Sequence, residues 1–98
     1  MALMAMRFTW DPVKAASNLR KHGVSFEEAL TVFGDPLARI HDDPHPSERE
    51  GREIIVGHST RGRLLLVSFT ERSGVIRLIS ARRATRHERK DYEEATRS

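Results

Sequence analysis

The chain has 98 residues, a formal net charge of +3, 38% hydrophobic residues and 32% charged residues. This length provides for one hydrophobic core, so residues 1–98 are expected to form a single domain in which residues 1–6 are a loose tail. The lack of cysteine excludes a disulfide framework and a thiolate metal site. No apolar run approaches membrane-spanning length and the start is too weakly apolar for a signal peptide, so we expect a cytoplasmic protein.

The first half of the chain predicts a strand, two helices and a second strand. Asp11 is placed to cap the first helix, Pro12 suits its first position, and Gly23 suits its end. Ser25 is placed to cap the second helix, and Glu28 three residues later completes a capping-box pattern. The predicted ranges are strand 7–10, helix 12–22, helix 26–33 with a turn at 34–36, and strand 37–42.

The second half predicts a three-stranded meander and a closing helix. Arg61-Gly62 suits a two-residue hairpin turn. The predicted ranges are strands 53–58, 63–70 and 75–82, and helix 84–96, which would pack through Ala84, Tyr92 and Ala95. Alternation in the last strand predicts one face with Ile76, Leu78, Ser80 and Arg82, and the other with Arg77, Ile79 and Ala81. The element order predicts an α+β domain with helices on one face of a small antiparallel sheet.

Basic residues are concentrated in the last third of the chain. The sequence pI is about 9.9, and acidic residues gather instead at 42–53 and 91–94. A guanidinium matches phosphate oxygens two at a time. The asymmetry therefore favours a polyanionic partner, with nucleic acid ahead of a membrane surface. The clustered basic residues are Arg77, Arg82, Arg83, Arg86, Arg89 and Lys90.

Several short motifs match one known family in their order and spacing. They are Phe8-Thr9-Trp10-Asp11-Pro12 with Lys14, Asn18 with Lys21-His22-Gly23-Val24, Phe26-Glu27-Glu28-Ala29 with the turn from Phe33 to Pro36, and Ile79-Ser80-Ala81-Arg82 with Ala84, Glu88-Arg89 and Tyr92. On these residues the sequence resembles the BrnT toxins of bacterial type II toxin–antitoxin systems, from Phe8 to Tyr92.

The resemblance implies a RelE-like fold, ribonuclease activity and a ribbon–helix–helix antitoxin similar to BrnA. It also implies a heterotetramer of two toxins and two antitoxins that binds operator DNA through the antitoxin. Ribonucleases of this class need no metal or cofactor, because the ribose 2′-OH attacks the neighbouring phosphorus, expels the 5′-oxygen and leaves a 2′,3′-cyclic phosphate. The protein must accept a proton, donate a proton and stabilise charge on the phosphoryl oxygens.

Arg82 is the first candidate catalytic residue, because it ends a strand and its guanidinium suits a pentacoordinate phosphate. A structural ion pair with Glu88 is the alternative, and Glu88 would also serve to hold Arg82 in position. Tyr92, on the same helix face as Glu88, is expected to bury its ring against the sheet. Arg77 is a further catalytic candidate, although a mid-strand arginine also covers an apolar face with its stem.

Lys21 and His22 are the remaining catalytic candidates, and histidine titrates near neutrality. In the alternative interpretation they complement the helix dipole, with His22 beside Leu19 on the buried side. Arg61 and Arg63 also have an alternative interpretation, in which they are only solvated residues of the hairpin turn. The predicted contacts to the RNA backbone are Arg61, Arg63, Arg83 and Arg86.

No metal site is predicted, since His41 and His45, near Asp42 and Asp43, lack ligand spacing. Two alternatives to a ribonuclease stay open. One is a non-catalytic nucleic-acid-binding module that uses the same arginines only to hold phosphates, and the other is a protein–protein adaptor. Salt-dependent binding that leaves RNA intact would indicate the binding module.

Overall fold

A computed structural model describes residues 6–43 and 51–97 of the chain. His45 and residues 1–5 of the predicted tail lie outside the described residues, whereas Met6 packs against the core. None of the described helices is long and apolar enough to cross a membrane. The elements are β1 (Arg7–Thr9), α1 (Pro12–His22), α2 (Phe26–Leu30), β2 (Arg39–Asp42), β3 (Arg52–His58), β4 (Leu64–Arg72), β5 (Val75–Arg83) and α3 (Arg86–Thr96).

The helix ends follow local sequence signals. The Asp11 side chain accepts a hydrogen bond from the Val13 N–H at 2.9 Å, and Gly23 ends α1 in a left-handed conformation with φ of 68°. The Ser25 hydroxyl accepts from the Glu28 N–H at 3.0 Å. The Glu28 carboxylate turns inward instead of returning to Ser25, so only half of the predicted capping box forms. A 3-10 turn, Thr31–Gly34, continues α2.

The five strands form one mixed sheet in the order β1-β5-β4-β3-β2. All neighbouring strands are antiparallel except β1 and β5, which are parallel. The prediction of an antiparallel sheet is therefore wrong for β1. The physical reason is that almost the whole domain separates β1 from β5 in sequence, so no tight hairpin sets their relative direction.

The sheet carries a hydrophobic cluster on each face, and the prediction that all helices pack on one face is wrong. On the face that we call the α1 face, Ile55, Leu65 and Val67 pack with residues from α1 and α2 and the segment between them. On the opposite face, which we call the α3 face, Val56 and Leu66 pack with Tyr92. The reason is that β4 is apolar on both sides, so both sides need cover. Ala95 is exposed and contributes nothing to this packing.

A β-bulge in β5 changes the predicted alternation. Ser68 pairs with Ser80, but its neighbour Phe69 pairs with Leu78, which leaves Ile79 as the extra residue. Beyond the bulge the side chains exchange faces. Arg82 consequently points to the α3 face, opposite to Leu78, and the predicted grouping of Arg82 with Ile76 and Leu78 is wrong.

The turn between β3 and β4 is one residue longer than predicted. The Ser59 N–H donates to the Arg63 carbonyl and the Gly62 N–H donates to the Ser59 carbonyl, each at 2.9 Å. Gly62 has a φ of 78°, which closes a three-residue loop of Thr60, Arg61 and Gly62. The loop places Arg61 at the tip of the hairpin.

Candidate active site

The α3 face contains a groove of about 200 Å³ between α3 and strands β2 to β5. Its floor is apolar and its rim is charged. One row of paired residues, Arg39, Val56, Leu66 and Arg82, crosses the sheet beneath it, so an arginine stands at each end. The lining residues are Arg39, His41, Ile54, Val56, Leu66, Arg82, Glu88, Asp91 and Tyr92.

Arg82 is held in this groove by Glu88. Its Nη1 donates to Glu88 Oε1 and its Nη2 donates to Glu88 Oε2, both at 2.8 Å. Nη1 also donates to the Arg83 carbonyl at 3.2 Å. A guanidinium has five N–H donors, so the Nε–H and one Nη2–H have no hydrogen-bond partner among the described residues. These two donors lie on the same edge of the guanidinium.

Glu88 also forms the first turn of α3. The Thr85 N–H donates to its carboxylate at 2.9 Å, and the Glu88 N–H donates to the Thr85 hydroxyl at 3.1 Å, which completes a capping box. The hydrogen bonds from Arg82 lower the pKa of Glu88 to about 2, and those from Thr85 act in the same direction. The Glu88 hydrogen bonds also raise the pKa of Arg82. The helix start therefore fixes a charged guanidinium at the groove.

Tyr92 closes one side of the groove as a hydrogen-bond donor. Its ring is buried, as the sequence predicted, and its hydroxyl donates to Asp35 Oδ2 at 2.9 Å. Burial raises the pKa of Tyr92 to about 12, and the hydrogen bond to Asp35 adds to the shift. Burial alone would raise the pKa of Asp35, but the backbone N–H donors of His58 and Leu37 and the Tyr92 hydroxyl hold it below its ordinary value. Tyr92 thus stays protonated and is unsuited to accept a proton.

Lys21 and His22 lie on the other side of the sheet from the groove. α1 is attached to β5 by Asn18, which bonds both the Ala81 N–H (3.1 Å) and the Ala81 carbonyl (2.8 Å). Ala81 belongs to the cluster on the α1 face, so the end of α1 is opposite Arg82. The expected packing of His22 with Leu19 on the buried side is wrong, since His22 is exposed and Leu19 is 50% exposed.

Arg63 is bound by a buried carboxylate. Glu28 has a side chain that is 4% exposed and accepts from Arg63 Nε at 3.0 Å and from Arg63 Nη2. The Ser59 hydroxyl donates to the same carboxylate at 2.7 Å. The hydrogen bonds from Arg63 lower the pKa of Glu28, although burial opposes the shift. This network joins the β3–β4 turn to α2, and it was not predicted from the sequence.

The other predicted RNA contacts and Arg77 lie at separate places. Arg61 is 71% exposed at the hairpin tip, 3.6 Å from Glu28. Arg83 pairs with Leu65 and so points to the α1 face, and Arg86 is exposed at the start of α3. Arg77 is exposed on the α3 face but lies outside the groove.

Three polar groove residues were not predicted as site residues, namely Arg39, His41 and Asp91. The alternation of β2 signalled that Arg39 and His41 share a face, but the position of β2 in the sheet was not readable. Asp91 Oδ2 lies 3.5 Å from His87 Nε2, one turn away on α3. Among residues 6–43 and 51–97, no three His, Asp or Glu side chains are arranged to bind a metal ion.

Comparisons with known proteins identify the family. A family model described as the ribonuclease toxin BrnT of type II toxin–antitoxin systems matches residues 10–88. The fold is similar to the crystal structure of the Brucella abortus ribonuclease toxin BrnT, with a TM-score of 0.66 and 21% identity over 83% of this chain and 99% of that chain. No curated protein matches the chain. Since the family model covers most of the sequence, the chain belongs to the BrnT family of ribonuclease toxins of type II toxin–antitoxin systems.

Proposed function

We propose that the chain is a metal-independent endoribonuclease toxin whose reaction takes place in the groove on the α3 face. Membership of the BrnT family implies an RNA substrate and an antitoxin partner. The observation that carries the proposal is the geometry of Arg82. Glu88 holds the guanidinium rigidly by Nη1 and Nη2, while the Nε–Nη2 edge keeps two N–H donors for a ligand.

The chemistry assigned to Arg82 is stabilisation of the phosphoryl oxygens. Two parallel N–H donors match two oxygens of a phosphate group. When the 2′-oxygen attacks phosphorus, negative charge grows on these oxygens, and a cation that is already oriented stabilises it without reorganisation. Glu88 has a positioning role in this scheme, because it orients the guanidinium and does not touch the RNA.

The proton transfers are assigned to the other side of the groove. β2 is three strand spacings from β5, which is about 14 Å, enough for a ribose-phosphate unit to lie between them. His41 on β2 lines the groove, and histidine is the side chain suited to proton transfer near neutral pH. We therefore assign one of the two transfers to His41 rather than to Lys21 or His22. Arg39 supplies a second cation for the RNA backbone.

Substitution of Arg82 tests the proposal. Arg82→Ala should lower single-turnover RNA cleavage by about a hundredfold, comparable to the loss of an oxyanion donor. Binding of an uncleavable 2′-deoxy substrate should weaken only by about one phosphate contact. Arg82→Lys should restore part of the rate, because it keeps the charge but loses the bidentate geometry.

Controls separate catalysis from binding and from folding. Arg20→Ala removes the same charge from an exposed position on α1 and should leave cleavage unchanged. Circular dichroism must show that the Arg82 variants are folded, because the ion pair with Glu88 is lost. If cleavage and binding fall together, Arg82 only holds the RNA. Loss of cleavage on EDTA treatment, restored by magnesium or zinc, would overturn the metal-independent mechanism.

The proposed partner is a BrnA-like ribbon–helix–helix antitoxin that covers the groove in a complex of two toxins and two antitoxins. The antitoxin would bind operator DNA, and the toxin would act in the cytoplasm and inhibit growth when expressed alone. The RelE-like classification of the fold also stays a prediction, which rests on the resemblance to the BrnT family. Light scattering on the co-expressed pair tests the assembly, and a strict one-to-one complex would contradict it.

A further inference from the structure

The α3 face of the sheet continues beyond the groove, and arginines dominate this second part. In one row, Thr70 pairs with Arg52 on one side and with Arg77 on the other. Residues that are directly opposite in adjacent strands present their side chains on the same face. The row therefore places two guanidinium groups on either side of one threonine.

The next row repeats the pattern. Val75 pairs with Arg72 of β4 and with Arg7 of β1. In the preceding row, Arg77 also pairs with Thr9 of β1. We call the four arginines of the two rows the arginine surface; its residues are Arg7, Arg52, Arg72 and Arg77.

Among residues 6–43 and 51–97, the arginine surface has little compensating negative charge. Neither row contains an acidic residue. The nearest acidic residues in the strands are Glu53 and Glu71. They pair with Phe69 and Ile76, whose side chains lie on the α1 face, so both acidic residues belong to that face. Glu71 borders the shallow depression in front of Arg77, but its carboxylate accepts a hydrogen bond from the Gly74 N–H at 2.9 Å.

The guanidinium groups also have hydrogen-bonding capacity that the described part of the chain does not use. Arg7, Arg72 and Arg77 are exposed. Arg52 is partly buried, and its buried Nε has no hydrogen-bond partner among the described residues. An unpaired buried donor is costly unless a ligand or water satisfies it. The surface therefore offers both net charge and free donors to an anion.

The groove and the arginine surface are neighbours on one face. Four residues separate Arg77 from Arg82, and one of them, Ile79, is the extra residue of the bulge. The two arginines thus point in the same direction, about 13 Å apart along the strand. This separation exceeds the rise per nucleotide of a stacked strand, about 3.4 Å, so the two sites would contact different phosphates of one strand.

We propose that the arginine surface is an RNA-binding subsite that holds the substrate backbone several nucleotides from the scissile phosphate at Arg82. The proposal rests on the proposed function for the location of the reaction. Phosphate contacts of this kind position a strand without reading its sequence. RNA is favoured over a protein partner because protein hot spots combine arginine with tryptophan and tyrosine, whereas the two rows contain neither aromatic residue and only one apolar residue, the partly buried Val75. Arg77 is thereby assigned to binding and not to catalysis.

The test removes two exposed charges from the arginine surface. The double variant Arg72→Gln/Arg77→Gln is compared with Arg20→Gln, which removes an exposed arginine from α1. Fluorescence anisotropy measures binding of uncleavable 2′-O-methyl RNA over a series of salt concentrations. The slope of log K against log salt should become shallower by about 0.7 for each lost contact, and hence by about 1.4 for the double variant. Arg20→Gln should leave the slope unchanged.

Substrate length supplies the second measurement. A long RNA reaches both sites, whereas a trinucleotide bound at Arg82 does not reach the arginine surface. The double variant should raise KM for long RNA, leave kcat unchanged, and leave trinucleotide binding unchanged. Arg77→Lys should restore the contribution of Arg77 to the salt slope because the charge is kept. Circular dichroism verifies the fold, and the single variant Arg77→Gln, with an expected change of about 0.7, replaces the double variant if that one is unfolded.

The outcomes distinguish this proposal from the proposed function. RNA cleavage by the wild type together with an unchanged salt slope in the double variant would overturn the subsite and leave the ribonuclease proposal intact. RNA binding with the expected slope change but without cleavage would support the subsite and overturn the ribonuclease proposal. A fall in kcat at unchanged KM would make Arg77 or Arg72 part of the reaction. Lost antitoxin binding with unchanged RNA binding would assign the surface to the protein partner.

Discussion

The stability of the protein at acidic pH should depend on Glu88. Its carboxylate accepts two hydrogen bonds from Arg82 and one from the Thr85 N–H, and its pKa in the folded state is about 2. The ordinary value of 4.5 applies to the unfolded chain. Because folding lowers this pKa, the contribution of Glu88 to stability is fully present above pH 4.5 and is lost as the pH falls through about 2.

The size of the effect follows from the two pKa values. Their difference corresponds to at most about 3.4 kcal/mol, at 1.36 kcal/mol for each pH unit. The side chains of Arg82 and Glu88 are 38% and 27% exposed, so solvent screens their interaction. We therefore expect about 1–2 kcal/mol. Glu88→Gln should lower the free energy of unfolding by this amount near neutral pH.

Denaturant titrations at a series of pH values measure the difference between the wild type and the variant. The difference should shrink below pH 4.5 and vanish only below about pH 2, where the wild-type carboxylate becomes protonated in the folded state. Glu93→Gln, which removes an exposed carboxylate from the same helix, is the matched control. A difference that stays constant with pH, or an equal effect of Glu93→Gln, would refute the role of the ion pair.

Two further predictions concern stability. Glu28→Ala should lower the free energy of unfolding by about 3 kcal/mol, because it removes the acceptor of the Arg63 Nε–H and of the Ser59 hydroxyl; Glu27→Ala, at an exposed position, is the control in thermal and denaturant unfolding. Gly57→Ala should cost about 1–3 kcal/mol, since a Cβ there would lie 2.9 Å from Ala38 Cβ and 3.0 Å from Asp35 Oδ2. A Gly57→Ala variant as stable as the wild type in urea would show that the neighbouring segment with Asp35 and Ala38 moves to accommodate the added Cβ.

Features that depend on neighbouring residues were predictable from the sequence. Asp11 and Gly23 mark the ends of α1, because caps act within a few residues. Ser25 caps α2 for the same reason. The prediction failed for the other half of that capping box, where the Glu28 carboxylate binds Arg63, a residue 35 positions away. The buried Glu28 carboxylate binds the guanidinium of Arg63 instead of the local backbone N–H of Ser25.

The candidate site was predictable only in part, because it is assembled from distant segments. Arg82 and Glu88 lie six residues apart, so their pairing is accessible to sequence reasoning. Arg39 and His41 come from β2, an edge strand three positions from β5 in the sheet, and no local signal shows that β2 lies on the outer side of β3. Lys21 and His22 end α1, which packs on the other face of the sheet, and this placement depends on how α1 docks through Asn18.

The bulge at Ile79 explains why the face of Arg82 was predicted wrongly. Strict alternation places Arg82 on the same face as Ile76 and Leu78, which is the α1 face with its closed apolar cluster. A guanidinium there would lose its hydration without gaining a partner, at a cost of several kcal/mol. One extra residue moves the small side chain of Ala81 under α1 and turns Arg82 toward Glu88. The same shift brings Arg82 onto the face of Arg77, so a change of one residue in register places the groove and the arginine surface on the same face of the sheet.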